Sequence, residues 1–142
     1  MRRITLDANV LAPGFTGKSS ASVRLIDLWR TGTFELVLSE HLLGELARTL
    51  TDTYFATRLP PGEATAILRL LTTKATITEL TVVVEAVATH PEDDAVLATA
   101  LSGRATILCT RDKQLLKLRA VQTVDILSPG ELLARLEDEV MS

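Results

Sequence analysis

The stretch Ile4-Thr5-Leu6-Asp7 contains the pattern from which the fold of this chain can be inferred. Residues typical of a buried strand are followed directly by a carboxylate, and a similar order recurs where Ile107-Leu108-Cys109 precedes Asp112. In an open parallel sheet the carboxyl ends of neighbouring strands meet at one edge, so residues far apart in sequence can converge there. Converged carboxylates repel one another unless a cation joins them. The pattern therefore predicts a site for a hard metal ion.

Two further acids fit this interpretation. Glu45 flanks the apolar stripe of a predicted helix and can point to the edge of a cleft, although an ion pair with Arg48 explains it equally well. Asp93 belongs to the run Glu92-Asp93-Asp94 in the first turn of another helix, where the helix dipole favours negative charge. Three adjacent carboxylates also repel one another, so at least one is expected to have a cationic partner.

The loops after the two strands contain further polar candidates. Asn9 can hold the loop of Asp7 by hydrogen bonds or offer a neutral oxygen to the site, and the Thr110 hydroxyl can order its loop or hold a water molecule. Asp7 and Asp112 could instead cap the helices that follow them. For Asp7 we favour a loop, because the segment 13–17 contains one proline and two glycines.

Length and composition limit the class of protein. At 142 residues the chain is expected to form one domain, residues 1–142, that buries roughly 70% of its unfolded surface. Cys109 is the single cysteine, so no intramolecular disulfide and no zinc cluster of cysteines can form, and a reduced, cytoplasmic setting is expected. No apolar run approaches the roughly 20 residues that span a bilayer, which predicts a soluble protein.

The formal charge of −3 neither supports nor excludes a nucleic-acid substrate. A local basic cluster lies beside Asp112 and can be either a substrate contact or a solvated helix face. It consists of Arg111, Lys113, Lys117 and Arg119.

Short apolar runs alternate with helical patterns along the chain, which predicts an α/β fold with a mostly parallel sheet of about five strands. The predicted strands are 3–6, 34–38, 81–85, 105–109 and 123–127. The predicted helix starts are Ser19 or Ser20, Ser39, Pro61 (with Ala66, Ile67, Leu70 and Leu71 buried), Pro91, Asp112, and a capping box of Ser128 with Glu131. The helices that start at Ser39 and Pro61 form an inserted pair, and the segment 72–79 suits either a loop or the start of a strand.

The sequence lacks the motifs of other common catalytic mechanisms. The sequence has no Ser–His pair at a credible nucleophile elbow, no glycine-rich phosphate loop, and only two histidines, at unrelated positions. Oxygen ligands alone suit Mg²⁺ or Mn²⁺, and such ions in a cleft suit phosphoryl chemistry.

Four segments, in this order, resemble the motifs of PIN-domain ribonucleases. They are Leu6-Asp7-Ala8-Asn9-Val10-Leu11, Ser39 to Leu46, Pro91 to Ala100 and Ile107 to Leu116. The ending Ser128-Pro129-Gly130-Glu131-Leu132-Leu133 resembles the branch of that family known as toxin components (VapC-like) of toxin–antitoxin pairs.

The resemblance implies a PIN-like three-layer fold in which four acids bind Mg²⁺ or Mn²⁺ and a metal-activated water hydrolyses RNA. The acids are Asp7, Glu45, Asp93 and Asp112, with Asn9 and Thr110 in support and Glu92 able to share the third position. From the basic cluster, Arg111 and Lys113 are predicted to contact the RNA. A homodimer and a small antitoxin that inserts a basic segment into the acidic site are also implied.

Two alternatives remain at this point. One is a non-catalytic PIN-like binding module whose acidic pocket accepts a basic peptide. The other is a metal-dependent phosphotransfer or receiver-like domain, which needs an aspartate directly after the central strand. The predicted strand that ends at Glu85 has no such aspartate, which counts against it.

Overall fold

The central sheet contains six strands in the part of the chain that the computed structural model describes, which comprises residues 1–17, 20–84 and 91–141. The strands are β1 (Arg3–Leu6), β2 (Glu35–Leu38), β3 (Thr76–Ile77), β4 (Ile107–Cys109), β5 (Ala120–Val121) and β6 (Val124–Leu127). The helices are α1 (Ala8–Thr16), α2 (Ala21–Arg30), α3 (Glu40–Thr51), α4 (Thr53–Ala56), α5 (Glu63–Lys74), α6 (Pro91–Ser102), α7 (Lys113–Leu118) and α8 (Pro129–Met141). Among these residues, no helix is both long and apolar enough to cross a bilayer.

The strand order in the sheet is β3-β2-β1-β4-β6-β5. The pairs β1–β2, β1–β4, β2–β3 and β4–β6 are parallel, and the short pair β5–β6 is antiparallel. The predicted α/β fold with a mostly parallel sheet is confirmed, with β5 as a strand that the sequence did not predict. The chain proceeds from β1 to β2 and β3 on one side and then to β4 and β6 on the other. The strand order therefore reverses between β1 and β4.

Helices cover the sheet so that its central strands are buried on both faces. All residues in 4–6, 36–38 and 107–109 are buried. Burial on both faces is the reason that these strands read as continuous apolar runs instead of alternating patterns. Helix α1 contacts α2 and α3, and α3 contacts α5 and α6. The contact between α3 and α5 agrees with the predicted inserted helical pair, with α4 between them.

The prediction of a loop after Asp7 is wrong, because α1 begins at the next residue, Ala8. Asp7 Oδ1 accepts a hydrogen bond of 2.7 Å from the Ala8 backbone N–H, so Asp7 caps α1, which is the alternative that the sequence pattern disfavoured. Pro13 lies inside the helix. A Cβ atom on Gly14 would lie 2.6 Å from Ile26 Cγ1 of α2. The proline and glycine that suggested a loop therefore belong to a helix that packs closely on its neighbour.

The prediction of a strand at 81–85 is wrong for residues 81–84, which do not form a strand. Glu85 lies outside the described residues. The strand beside β2 is β3, which is earlier in the chain. The backbone N–H groups of Thr81 and Val82 donate to Ser102 Oγ at 2.9 and 3.0 Å. A side chain at the end of α6 thus satisfies the donors that a strand would have used.

The start predicted for α5 is two residues too early. Gly62 has a φ of +84°, and the first N–H of α5 donates to the Pro60 carbonyl at 3.1 Å. Pro61 and Gly62 therefore occupy the central positions of a type II turn. Ala66, predicted to be buried, is exposed. After α5, the segment 72–79 contains both the end of the helix and β3.

The other predicted caps agree with the structure. Ser20 and Ser39 each accept a hydrogen bond from the backbone N–H three residues later, at 3.3 and 3.2 Å. Ser128 and Glu131 form the reciprocal capping box of α8, with bonds of 3.0 and 3.2 Å. Ser19, the other cap candidate for α2, lies outside the described residues.

Candidate metal centre

The candidate centre lies beyond the carboxyl ends of β1 and β4, where the strand order reverses. The Asp7 backbone N–H donates to the Cys109 carbonyl at 2.9 Å, and the Thr110 N–H donates to the Leu127 carbonyl at 3.0 Å. Asp7 and Thr110 therefore leave adjacent strands at the same edge. Ligands of open α/β sheets bind at such a position.

The Thr110 hydroxyl connects the two loops. It donates to Asp7 Oδ2 at 2.8 Å, and it accepts from Asn9 Nδ2 at 3.3 Å and from the Asp112 backbone N–H at 3.1 Å. A hydroxyl has one donor and two acceptor sites, so these three bonds use all of them. The buried hydroxyl thus orders its loop and sets the orientation of the Asp7 carboxylate.

Asn9 and Arg111 join the same two loops from the outside. Asn9 Oδ1 accepts from the Arg111 backbone N–H at 3.0 Å, and Arg111 Nη2 donates to Ser22 Oγ on α2 at 2.8 Å. The Arg111 side chain, predicted to contact RNA, therefore lies against a buried serine. Lys113 is exposed at the start of α7. Ser22 was not among the site residues predicted from the sequence.

Three of the four predicted acids line one cleft, which has a volume of about 370 Å³. Asp7 lies at its base after β1, Glu45 comes from α3, and Asp93 comes from the first turn of α6. The rest of the lining is Ala8, Asn9, Ala12, Pro13, Thr49 and Phe55. The tertiary fold thus brings together residues as distant in sequence as Asp7 and Asp93, which are 86 positions apart.

The Asp7 carboxylate is affected by its burial and by the two other carboxylates of the cleft. Burial raises the pKa of Asp7 from 3.8 to about 6, against the hydrogen bonds from Thr110 and the Ala8 N–H, which lower it. The charges of Glu45 and Asp93 raise the pKa further. Asp7 therefore lies in a buried, negatively charged environment that a cation would neutralise.

Glu45 has a different partner from the one that its sequence spacing suggested. His41 Nε2 lies 3.1 Å from Glu45 Oε1, one helical turn before it, and the Glu45 side chain is 14% exposed. The alternative of a surface ion pair with Arg48 is not what the structure shows. Helical spacing placed His41 and Glu45 on one face, a signal that our sequence analysis did not use.

A buried pair of hydroxyl groups holds α3 against α6, the two helices that carry Glu45 and Asp93. Ser39 Oγ and Thr99 Oγ1 are 2.7 Å apart, and Thr99 Oγ1 also donates to the Ala95 carbonyl at 2.9 Å. Because Thr99 uses its proton on that carbonyl, Ser39 is the donor in the pair. Thr99 was not among the residues predicted from the sequence, although a threonine on the apolar face of a helix is a usable signal.

Asp112 does not line the cleft. Asp112 Oδ1 accepts from the Gln114 and Leu115 backbone N–H groups at 2.8 and 3.2 Å, so it caps α7. It reaches Asp7 through the shared hydroxyl of Thr110. The side chain of Glu92 lies outside the described part of the chain.

The donors fit a hydrated magnesium-type ion. Within the described residues, no three His, Cys, Asp or Glu side chains are close enough to ligate one ion directly. Mg²⁺ usually keeps several waters and binds through one or two carboxylates, so a cleft of separated carboxylates suits it. Cys109 is buried, and desolvation raises the pKa of its thiol, so a thiolate ligand is not favoured.

These features define a mixed α/β domain with an acidic cleft at its topological switch point. The model of the PIN domain matches residues 3–114, a range that includes all four predicted acids. The chain therefore belongs to the PIN-domain family, as its motifs suggested. PIN domains are generally nucleases.

A solved structure has the same fold. A chain of the crystal structure of VapBC2 from Rickettsia felis, bound to a DNA fragment from their promoter, superposes with a TM-score of 0.61. The similarity covers 89% of this chain and 98% of that chain at 11% sequence identity. No curated protein sequence matches the chain.

Proposed function

We propose that this PIN domain is a Mg²⁺- or Mn²⁺-dependent endoribonuclease and the toxin component of a toxin–antitoxin pair. The observation that carries the proposal is the cleft lined by Asp7, Glu45 and Asp93, in which burial raises the pKa of Asp7 and the charges of Glu45 and Asp93 add smaller contributions. A fold that gathers three carboxylates at a switch point stabilises them poorly without a cation. Family membership supports a nuclease as the use of that cation.

Each acid has a role that follows from its surroundings. Asp7 is the principal ligand, because Thr110 and the N-terminus of α1 hold its carboxylate in one orientation. Asp93 and Glu45 complete the acidic lining, with His41 orienting Glu45. A divalent cation bound there would lower the pKa of a water molecule and neutralise charge on the phosphodiester.

For Asp112, which we first expected to bind the metal directly beside Asp7, the hydrogen bonds support a positioning role. The structure gives it two hydrogen bonds within the start of α7 and a backbone link to Thr110. We assign Asp112 to holding the Thr110 loop, and thereby Asp7, in place. Glu92 and the basic residues Arg111 and Lys113 stay predictions as site residues.

A cleavage assay tests the proposal. The protein is incubated with end-labelled RNA in Mn²⁺, then with excess chelator, then with Mn²⁺ restored. We expect cleavage in the first and third conditions and none in the second. Asp7→Asn should abolish cleavage, whereas Asp27→Asn, which removes an exposed carboxylate of α2, should retain it. Cleavage that persists in chelator contradicts the metal mechanism.

The toxin assignment rests on the sequence resemblance and on the fold shared with a VapBC2 chain. We infer a partner with a basic segment that occupies the acidic cleft, a homodimer of this chain, and a cytoplasmic location. A small open reading frame adjacent to this one, encoding a basic-tailed protein, is expected. Co-expression of the two should give a stable complex that does not cleave RNA, and dissociation at high salt would show that charge drives it.

The non-catalytic binding module predicts a different result in the same experiments. Such a module would bind the basic partner and lack cleavage in every metal tested. The receiver-like alternative is not supported, because the chain belongs to the PIN-domain family.

A further inference from the structure

Helix α4 presents an exposed aromatic ring beside the acidic cleft. Tyr54 is 58% exposed, the largest exposure of an aromatic side chain in the described part of the chain. Its neighbour Phe55 is half-buried and lines the cleft with Asp7 and Glu45. The two rings pack edge to face, with centroids 4.9 Å apart and an interplanar angle of 77°. The ring of Tyr54 is therefore connected to the cleft wall by direct contact.

A cation is fixed on the same ring. The Arg58 guanidinium lies 3.8 Å from the centroid of Tyr54, and its Nη1 donates to the Tyr54 backbone carbonyl at 2.5 Å. The interaction holds the guanidinium of Arg58 over the ring of Tyr54, four residues earlier in the chain. Tyr54 and Arg58 together form what we call the α4 platform, an exposed π-surface with a positive charge.

The surroundings favour a small, planar, anionic ligand over a protein surface. Thr53, Ala56 and Thr57, the other residues around this turn, are exposed and polar or small, so Tyr54 is not part of a contiguous apolar patch. Unpaired nucleotides combine a base that stacks on aromatic or guanidinium planes with a phosphate that pairs with arginine.

We propose that the α4 platform binds one unpaired nucleotide of the RNA whose phosphodiester enters the acidic cleft. This inference rests on the proposed ribonuclease function, and it names a subsite for that function. The base stacks on Tyr54 and Arg58, and the charge of Arg58 offsets the repulsion between the RNA phosphates and the carboxylates. Single-stranded RNA is therefore preferred over a duplex, in which the bases are already stacked.

Binding measurements separate the platform from catalysis. The affinity of a 12-nucleotide single-stranded RNA is measured by fluorescence anisotropy in the Asp7→Asn background, where cleavage does not deplete the ligand. Tyr54→Ala should weaken binding about tenfold, since one stacked base contributes on that scale. Tyr54→Phe, which keeps the ring, should bind within about twofold of the parent. A 12-nucleotide abasic ribose-phosphate chain should bind the Tyr54→Ala variant and its parent equally.

The charge of Arg58 has its own readout and a matched control. Arg58→Ala should lower the dependence of log K on log salt by about 0.7, the value for one phosphate contact on a single strand. Arg69→Ala removes an exposed arginine of α5, which does not line the cleft, and should leave the slope unchanged. Tyr54→Ala should also leave the slope unchanged, because it removes no charge.

The outcomes distinguish this inference from the proposed function. Metal-dependent cleavage by the parent protein, with equal RNA affinity for Tyr54→Ala and its parent, overturns the platform and leaves the ribonuclease standing. Loss of affinity on Tyr54→Ala, in a protein that cleaves no RNA, supports the platform and overturns the catalytic proposal. A Tyr54→Ala variant that loses only self-association or partner binding shows a protein interface instead and overturns the platform.

Discussion

Replacement of Asp7 by asparagine should make the metal-free protein more stable while it removes activity. The carboxylate is 6% exposed and receives hydrogen bonds from Thr110 and the Ala8 N–H, yet its pKa is raised to about 6. The ionised form is therefore less favourable in the folded protein than in the unfolded chain. Stability at this position is therefore reduced by a charge that, under the proposed function, would bind the cation.

The size of the effect follows from the pKa. A shift from 3.8 to about 6 corresponds, at about 1.4 kcal/mol per pH unit, to roughly 3 kcal/mol of lost stability at pH 7. Asparagine is as good an N-cap as aspartate, but loss of the charged bond to Thr110 costs about 1 kcal/mol. The net gain in the free energy of unfolding is about 2 kcal/mol, or roughly 8 °C in Tm for a chain of this length.

The raised pKa of Asp7 determines the direction in which the stability of the protein changes with pH. Between pH 4 and 6 the folded state binds more protons than the unfolded state, because its Asp7 pKa is higher. The wild-type protein therefore loses stability as the pH rises from about 4 to about 6, and the loss is complete above that range. The advantage of Asp7→Asn should be largest at pH 7 and should disappear near pH 4.

Urea denaturation in EDTA at pH 4, 5, 6 and 7 measures this difference directly. Asp27→Asn serves as the control, because it removes an exposed carboxylate and should stay close to wild type at every pH. Addition of Mg²⁺ should stabilise the wild type more than Asp7→Asn, since ligand binding stabilises only the folded state that binds it. A variant that is less stable than wild type at pH 7, or a gap independent of pH, would refute the electrostatic argument.

Three further predictions concern the Thr110 hydroxyl, the close packing of Gly103 and the proposed divalent cation. Thr110→Val removes one of the two hydrogen-bond donors to the buried Asp7 carboxylate and leaves only the Ala8 N–H, so we expect a loss of about 1–3 kcal/mol in urea denaturation and at least tenfold lower cleavage; unchanged activity would contradict the positioning role. Gly103→Ala puts a Cβ atom 2.2 Å from Val37 Cγ1 and should lower stability by about 1–3 kcal/mol, whereas Gly130→Ala in α8 meets nothing within 4 Å and should be neutral or slightly stabilising by the same assay. Removal of divalent ions by dialysis against EDTA should abolish RNA cleavage, and Mn²⁺ should restore it without refolding; recovery by Na⁺ alone would argue against a divalent cofactor.

Sequence patterns predicted the strands that lie in the middle of the sheet better than the elements at its edges. β1, β2 and β4 contain the buried runs 4–6, 36–38 and 107–109, whose mostly apolar character is required by packing on both faces, so the requirement is visible in the residues themselves. The run at 81–84 has equally strong strand propensity, but β2 is paired with β3 and Ser102 binds the N–H groups of Thr81 and Val82. Strand propensity did not decide the pairing of this run, because β3 already occupies the edge of β2 and Ser102 accepts the hydrogen bonds of the run.

The candidate site shows the same division. Asp7, Glu45 and Asp93 could be selected from sequence by their places after a strand, on a helical stripe and in a first helical turn. The spacing of these residues in the sequence did not indicate how far apart they lie in the fold. It also predicted Asp112 as a metal ligand in the same way as the other three acids, although the Asp112 side chain caps α7. The contribution of Thr99 depends on a 2.7 Å contact with a residue 60 positions away, which no local pattern records.

By itself the sequence determined the α/β class, the order of the four acidic motifs and the oxygen-bearing side chains that we propose for the centre. These depend on local burial periodicity and residue type, which are written along the chain. Only the tertiary structure decided that Asp7 caps a helix, that the Thr110 hydroxyl joins the loops after β1 and β4, and that three of the four acids share a cleft. The joining of the two loops and the shared cleft depend on the reversal of strand order between β1 and β4, which brings distant segments together, whereas the Asp7 cap is a contact with the next residue.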